Sequence, residues 1–305
     1  MTPSGPDCHS AKPQRSPSPM DQGQHRRHLQ ERPSVLNIND QELDISMSCI
    51  PSHGRVNCVR CFAPLQATEF DTTRRAAPDG SWRITSNPLA WGSMEPEIVV
   101  LGFSKGPTQT GAMASSPHDE IAYKGSRMAV GKILVHIGVV PQPENSDYRG
   151  MVDRLISDRN GRFHFGSLVR CTVERFDEKT RNWKGSGGGM LDKFMGTQFG
   201  NEVATNCASQ FLGALPTKTR LVIMFGLGSK LNYISAARKL VEAARPGNWR
   251  MLNEVTYSDG NLTFVHVEHF ASQGALIPNW LGINDHPRSE YGRKSREAVQ
   301  AALAD

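Results

Sequence analysis

No run in the 305-residue chain is long and apolar enough to form a membrane-spanning helix, so no membrane partner is expected. The opening stretch, MTPSGPDCHSAKPQ, has no apolar segment of the kind a secretory leader needs. A reducing, cytoplasmic setting is therefore expected, in which the six cysteines are not read as disulfides. Hydrophobic residues are scarce, at 38%, so part of the chain contributes nothing to a core. Charge of one sign is scarce too. A net +5 is compatible with a polyanionic partner but too small to require one. No internal repeat is visible.

Residues 1–40 are rich in Pro, Ser, Gln, His and Arg without hydrophobic period, and read as a disordered tail; Arg26, Arg27 and Arg32 could tether nucleic acid loosely. Residues 41–285 carry the folded domain, and 286–305 a C-terminal helical extension. EIVVLGF (97–103), FHFGSLVRC (163–171), TRLVIMFG (219–226) and NLTFVHVEHF (261–270) read as strands. Helical spacing marks 126–139, 202–215 and 229–245. WKGSGGGM (183–190) reads as a mobile loop. The alternation predicts a three-layer α/β/α domain with a mostly parallel central sheet. Ligands of such sheets gather beyond the carboxyl ends of the strands, here near 102–107, 171–172, 226–229 and 269–274.

The pair in NCVRC, Cys58 and Cys61, reads as half of a metal site or a redox couple. Cys171, read as ending the second strand, and Cys207, on the next helix, could complete four thiolates, which suit Zn²⁺ or an iron–sulfur cluster. A local zinc site from Cys49, His53, Cys58 and Cys61 is an alternative, and so is plain burial of Cys171 and Cys207.

The succession NCVRC, EIVVLGFSKGP, SLVRC, a Cys207 helix, RLVIMFG and FVHVEHF resembles the uracil-DNA glycosylase superfamily over about residues 58–280, and within it the iron–sulfur-containing family 4. The resemblance implies that Cys58, Cys61, Cys171 and Cys207 ligate a [4Fe–4S] cluster, with zinc the alternative. It implies a monomer whose partner is DNA, from which a base is flipped out of a duplex or a single strand. It places Phe103, Ser104 and Lys105 in the first substrate loop and Tyr123 at the position of the aromatic that stacks on the base. Ser167 stands at the base-reading Asn position, and His269 in the last loop.

The departures matter as much as the matches. The family's first-loop carboxylate is replaced by Phe103 or Lys105, and Asp119 and Glu120 are candidates to supply the missing acid. Lys105 could instead contact phosphate. Ser167 cannot reproduce the paired donor and acceptor of an amide. Loss of such a pair costs more discrimination than loss of a methylene, so uracil is not the expected substrate. A larger base, such as a 5-substituted cytosine of modified phage DNA, fits the space, and superfamily members acting on phage DNA serve defence. The alternatives are a uracil glycosylase with displaced catalytic residues and a catalytically inert DNA binder. Arg175, Lys179, Arg181 and Lys184 with Trp183, in an insertion over 174–199, could clamp phosphates. Leu276 or Ile277 could wedge into a duplex.

Overall fold

The computed structural model describes residues 50–304 apart from 64, 66, 67, 186–189 and 273. The N-terminal tail, Cys49 and residues 186–189 of the Gly-rich stretch lie outside the described residues. In chain order the strands are β1 (Gly54–Arg55), β2 (Arg74–Ala76), β3 (Trp82–Thr85), β4 (Leu89–Gly92), β5 (Ile98–Gly102) and β6 (Phe163–Ser167). Then come β7 (Thr172–Asp177), β8 (Asn182–Gly185), β9 (Leu221–Phe225), β10 (Arg250–Asn253), β11 (Thr256–Ser258) and β12 (Thr263–Val267). The helices are α1 (Pro107–Ala112), α2 (His118–Ile121), α3 (Arg127–His136), α4 (Tyr148–Ser157), α5 (Leu191–Met195) and α6 (Gln198–Phe211). They end with α7 (Asn232–Ala244), α8 (Leu276–Trp280) and α9 (Ser289–Leu303).

The strands of the domain centre are short apolar runs, and β5, β9 and β12 are buried at every residue. Burial on both faces suits a parallel sheet covered by helices. The order in the large sheet is β1-β4-β6-β5-β9-β12-β11-β10. Its centre, β6-β5-β9-β12, is parallel, and antiparallel strands extend both edges. One helical layer joins α3 to α4 and, through the ring contact of His136 with Trp280, to α8 and α9. The other joins α5, α6 and α7. The expected α/β architecture is borne out. Among the described residues, no helix is long and apolar enough to cross a membrane.

Several local expectations change. The helix expected from 202 begins at Gln198, where the Thr197 hydroxyl accepts from the Gly200 N–H at 3.0 Å and caps the first turn. Cys171 does not end a strand. β6 stops at Ser167, the chain turns through Leu168–Val169–Arg170, and Cys171 stands just before β7. The segment 174–185 is not a loose loop: β7 and β8 form a hairpin in a second, antiparallel sheet, β2-β3-β7-β8. The helix expected beyond 286 packs on β12, and its Ser295 hydroxyl donates to the His266 carbonyl at 3.0 Å.

Candidate active site and metal centre

The carboxyl ends of β5 and β6 are laced together by backbone. The N–H groups of Leu168 and Val169 donate to the carbonyls of Gly102 and Phe103 at 2.8 and 2.9 Å. Gly102 pairs with Ser167 across the strands, which leaves Ser167 half-buried at the rim. From the other side of the sheet centre, the loop after β12 brings in Phe270. Its ring lies 5.0 Å from both Tyr123 and Phe225, edge to face, and stacks on His269 at 4.4 Å. A Cβ at Gly102 would sit 3.9 Å from the same ring. Tyr123 and His269, far apart in the chain, thus both pack on Phe270, beside Gly102, the strand partner of Ser167. Phe270 packs at once on Tyr123, Phe225 and His269. Tyr123 is 4% exposed, covered by Phe165, Phe225 and Phe270.

His269 is held as a neutral donor. Its Nδ1 accepts from the Ala271 N–H at 3.1 Å, which puts the ring hydrogen on Nε2. Burial lowers its pKa below that of a free histidine, against the opposing pull of Glu268. The backbone around it is fixed by Glu268, a residue the sequence reading passed over. The buried carboxylate accepts from the His269 N–H at 2.9 Å and from the Ser272 hydroxyl at 2.7 Å, and pairs with Arg288 at 2.5 Å. With these partners Glu268 positions the loop and is not free to act as the missing acid. Its identity gave no signal, because a Glu at a strand end is usually solvated.

The first loop differs from expectation. Phe103 is buried against Phe194, 5.9 Å between ring centres, and does not face a ligand. Ser104 accepts from the Val173 N–H at 3.0 Å and so ties the loop to β7. Lys105 is 1% exposed and donates its ammonium to the Arg170 carbonyl, which removes it from any phosphate. The loop offers backbone, and its side chains are structural.

Asp119 and Glu120 are not brought to this place either. Glu120 is exposed on α2. Asp119 lies 2.7 Å from His53 Nε2. His53 is tied to the Gly92 N–H at 3.2 Å, and Gly92 pairs with His164 near the start of β6, away from the strand ends. His53 also lines a cavity of about 400 Å³ with Glu95, Asn160 and Lys218, residues that precede β5, β6 and β9. His53, His118 and Asp119 have ligand atoms within 4.8 Å of one another, the one such trio among the described residues. Because His53 Nδ1 accepts from Gly92, its Nε2 carries the hydrogen that faces Asp119, and no lone pair is left there for an ion. The trio reads as a staple between α2 and the sheet edge. With His53 so engaged and Cys49 outside the described residues, a local zinc site draws no support.

The four expected cysteines do come together. Cys61 and Cys207 hydrogen-bond to each other, and Cys58, Cys61, Cys171 and Cys207 lie close enough to feel one another's charge. Each sulfur also meets an N–H donor: Cys58 that of Arg60, Cys171 that of Asn87, Cys207 that of Arg170, and Cys61 the Asn206 side chain at 3.6 Å. Donors aimed at all four sulfurs favour thiolates, the form a metal requires. As metal-free thiols, Cys58 and Cys171 are pushed up by burial, Cys171 to about 12. The Cys61 contact raises Cys207 and lowers Cys61. Among the described residues no three of these sulfurs fall within the 4.8 Å that unites the His53 trio. Four thiolates are a donor set that zinc and an iron–sulfur cluster both accept. The residues present therefore fit the group that the resemblance implies.

Supports of this set were not legible beforehand. Arg75 donates to the Cys61 carbonyl at 2.9 Å and pairs doubly with Glu202 at 2.6 and 2.8 Å, which ties the first two cysteines to α6. Asn87 accepts from the Thr172 N–H at 2.8 Å, beside Cys171. Burial pulls Lys105 down to about 8 and Arg170 to about 10.

No protein-family model matches the sequence, and no curated protein matches it. Among solved structures the chain is similar to the crystal structure of wild-type Pedobacter heparinus SMUG2. The two are 11% identical, the match covers 79% of this chain and 95% of that one, and the TM-score is 0.37.

Proposed function

We propose that this protein is a DNA glycosylase of the iron–sulfur type that flips a modified base out of the stack and hydrolyses its N-glycosidic bond, leaving an abasic site. The base is a cytosine with a bulky 5-substituent, and defence against phages with modified DNA is the setting this specificity suits. The reading is supported by one observation: the Phe270 ring packs on Tyr123 and His269 and lies beside Gly102, the strand partner of Ser167. Residues that carry the resemblance, Tyr123 and His269, thus meet at one aromatic ring, which supports the reading.

The bond breaks towards an oxocarbenium-like sugar and an anionic base, so a neutral donor on the base side stabilises the transition state. His269 Nε2–H is that donor, oriented by Glu268. Tyr123 supplies a stacking face once Phe270 swings aside, and Ser167 leaves room beside the base that an amide would occupy. When bound, a cluster on Cys58, Cys61, Cys171 and Cys207 cross-links residues 58–61 to the turn after β6 and to α6.

His269→Ala should slow release of every base by about 100-fold or more, the usual cost of one such donor. Ser167→Asn should reduce release of a glucosylated hydroxymethylcytosine by filling the space, without creating uracil activity. Mass spectrometry of bases freed from a panel of modified DNAs reads both. Efficient uracil release with no modified cytosine freed would overturn the substrate, and no base released from any DNA would favour an inert binder.

The hairpin contributes less to DNA affinity than its sequence promises. Lys184 is paired with Asp177, and Arg181 with Glu178 at 3.4 Å, while Arg83 covers Trp183 at 4.3 Å. Arg175 and Lys179 remain the exposed cations available for phosphate. Replacing Arg175, Lys179, Arg181 and Lys184 together should therefore lower the salt slope of DNA binding by about 2, not by the roughly 4 expected of four phosphate contacts. Titrations at several salt concentrations decide between the two values.

A further inference from the structure

Two cations are buried at the heart of the molecule with no carboxylate in hydrogen-bond contact, although the Asp71 charge reaches Lys105. Lys105 and Arg170 are 1% and 3% exposed. Lys105 Nζ donates to the carbonyl of Arg170, the residue that leads into Cys171. The Arg170 guanidinium donates to the Leu89 carbonyl at 3.3 Å and to His164 Nε2 at 3.2 Å, and lies over the Phe211 ring at 4.9 Å. Its Nε has no hydrogen-bond partner. Every partner is neutral, and neither cation joins an ion pair among the described residues.

The chain makes room for this arrangement at a cost in side-chain packing. A Cβ at residue 166 would lie 2.2 Å from Arg170 Nη1, so glycine there is what lets the guanidinium enter. Burying a charge without an opposite charge is expensive enough that proteins avoid it. Apart from Asp71, whose charge also reaches Lys105, and the Tyr123 phenol near Arg170, the groups able to become anionic here are the cysteines: Lys105 sits on the carbonyl that leads into Cys171, and the Arg170 N–H meets Cys207, with Cys58 also near its side chain. As thiols they are neutral. As ligands of a [4Fe–4S]²⁺ core, or of Zn²⁺, four thiolates leave a net charge of about −2. Two cations match it.

We propose that Lys105 and Arg170 are the built-in counter-charges of a thiolate-ligated metal centre, and that Lys105 serves this centre and not DNA. The inference rests on the metal-centre reading above. It assigns both residues an outer-sphere role: they hold the sulfurs as thiolates and make the metal-free protein the strained form, because removing the metal leaves two cations uncompensated.

The test is Lys105→Met in the full chain, purified anaerobically, with metal per chain, chelator competition and thermal midpoints before and after chelation. Loss of the counter-charge should weaken metal retention about 10–100-fold, the usual range for an outer-sphere partner. It should also leave the chelated protein at least as stable as chelated wild type, which a merely structural lysine would not do. If Lys105→Met is insoluble, Arg170→Met against the charge-keeping Arg170→Lys reads the same charge, with metal lost in the first and kept in the second. Wild type carrying metal while the neutral variants retain it equally would overturn the counter-charge role alone. Equal loss of stability with and without metal would do the same. Wild type with neither iron nor zinc would overturn the metal-centre reading, and this inference with it.

Discussion

Cys171→Ser and Cys207→Ser should each yield protein without its metal. The proposed centre would join three segments, at 58–61, 171 and 207, so each sulfur is a separate tether. The effect should exceed the roughly 10–100-fold that loss of an outer hydrogen-bonding partner costs. Anaerobically purified wild type should be yellow-brown from iron–thiolate charge transfer. Both serine variants should be colourless, and iron analysis should follow the colour. Zinc without iron in wild type would assign the thiolates to a single ion. Full metal content in either serine variant would remove that cysteine from the ligand set. A change at His53 should leave the metal in place, since its Nδ1 is committed to the Gly92 N–H.

Mild acid should destabilise the fold before carboxylates begin to titrate. Burial depresses His164 to about 3, helped by the neighbouring Arg170 charge, and depresses His266 to about 4. Both rings are already satisfied as neutral imidazoles. His164 donates to the Ser93 carbonyl at 2.9 Å and accepts from Arg170, while His266 donates to the Gly226 carbonyl at 3.1 Å and meets the Tyr257 hydroxyl at 3.4 Å. Below about pH 6.5 the unfolded chain takes up two protons that the folded chain refuses. Stability is therefore full above pH 6.5 and falls as pH drops towards the folded values. Between pH 7.5 and 5.5 the two groups together should cost about 3 kcal/mol, roughly 100-fold in the folding equilibrium. Denaturant titrations of the metal-free protein at the two pH values measure this, and equal unfolding free energies would falsify it.

The aromatic site and the thiol centre meet at Arg170. Its guanidinium is close enough to Tyr123 to favour ionisation of the phenol, against burial, which raises the Tyr123 pKa. The same residue gives its N–H to Cys207 and its carbonyl to Lys105. Arg170 therefore faces both the cysteine set and Tyr123.

The sequence by itself determined the architecture and the cysteine set. Short runs apolar at every position, as in IVVLG and LVIMF, have no stable place but a doubly covered parallel sheet, and their alternation with amphipathic segments orders the layers. Cysteines are rare enough that four on the right elements stood out. Tertiary structure decided what each loop side chain does, because direction and partner depend on contacts distant in the chain. Lys105 looked like a phosphate ligand until its ammonium was found on the carbonyl of Arg170, 65 residues away. Asp119 looked like a spare acid until His53 claimed it from across the sheet edge. Glu268 looked like a solvated strand end until Arg288, from beyond the last loop, buried it. A charged residue in a loop carries no local mark of its partner. Only the packed fold, which sets who is desolvated and beside whom, fixes its role.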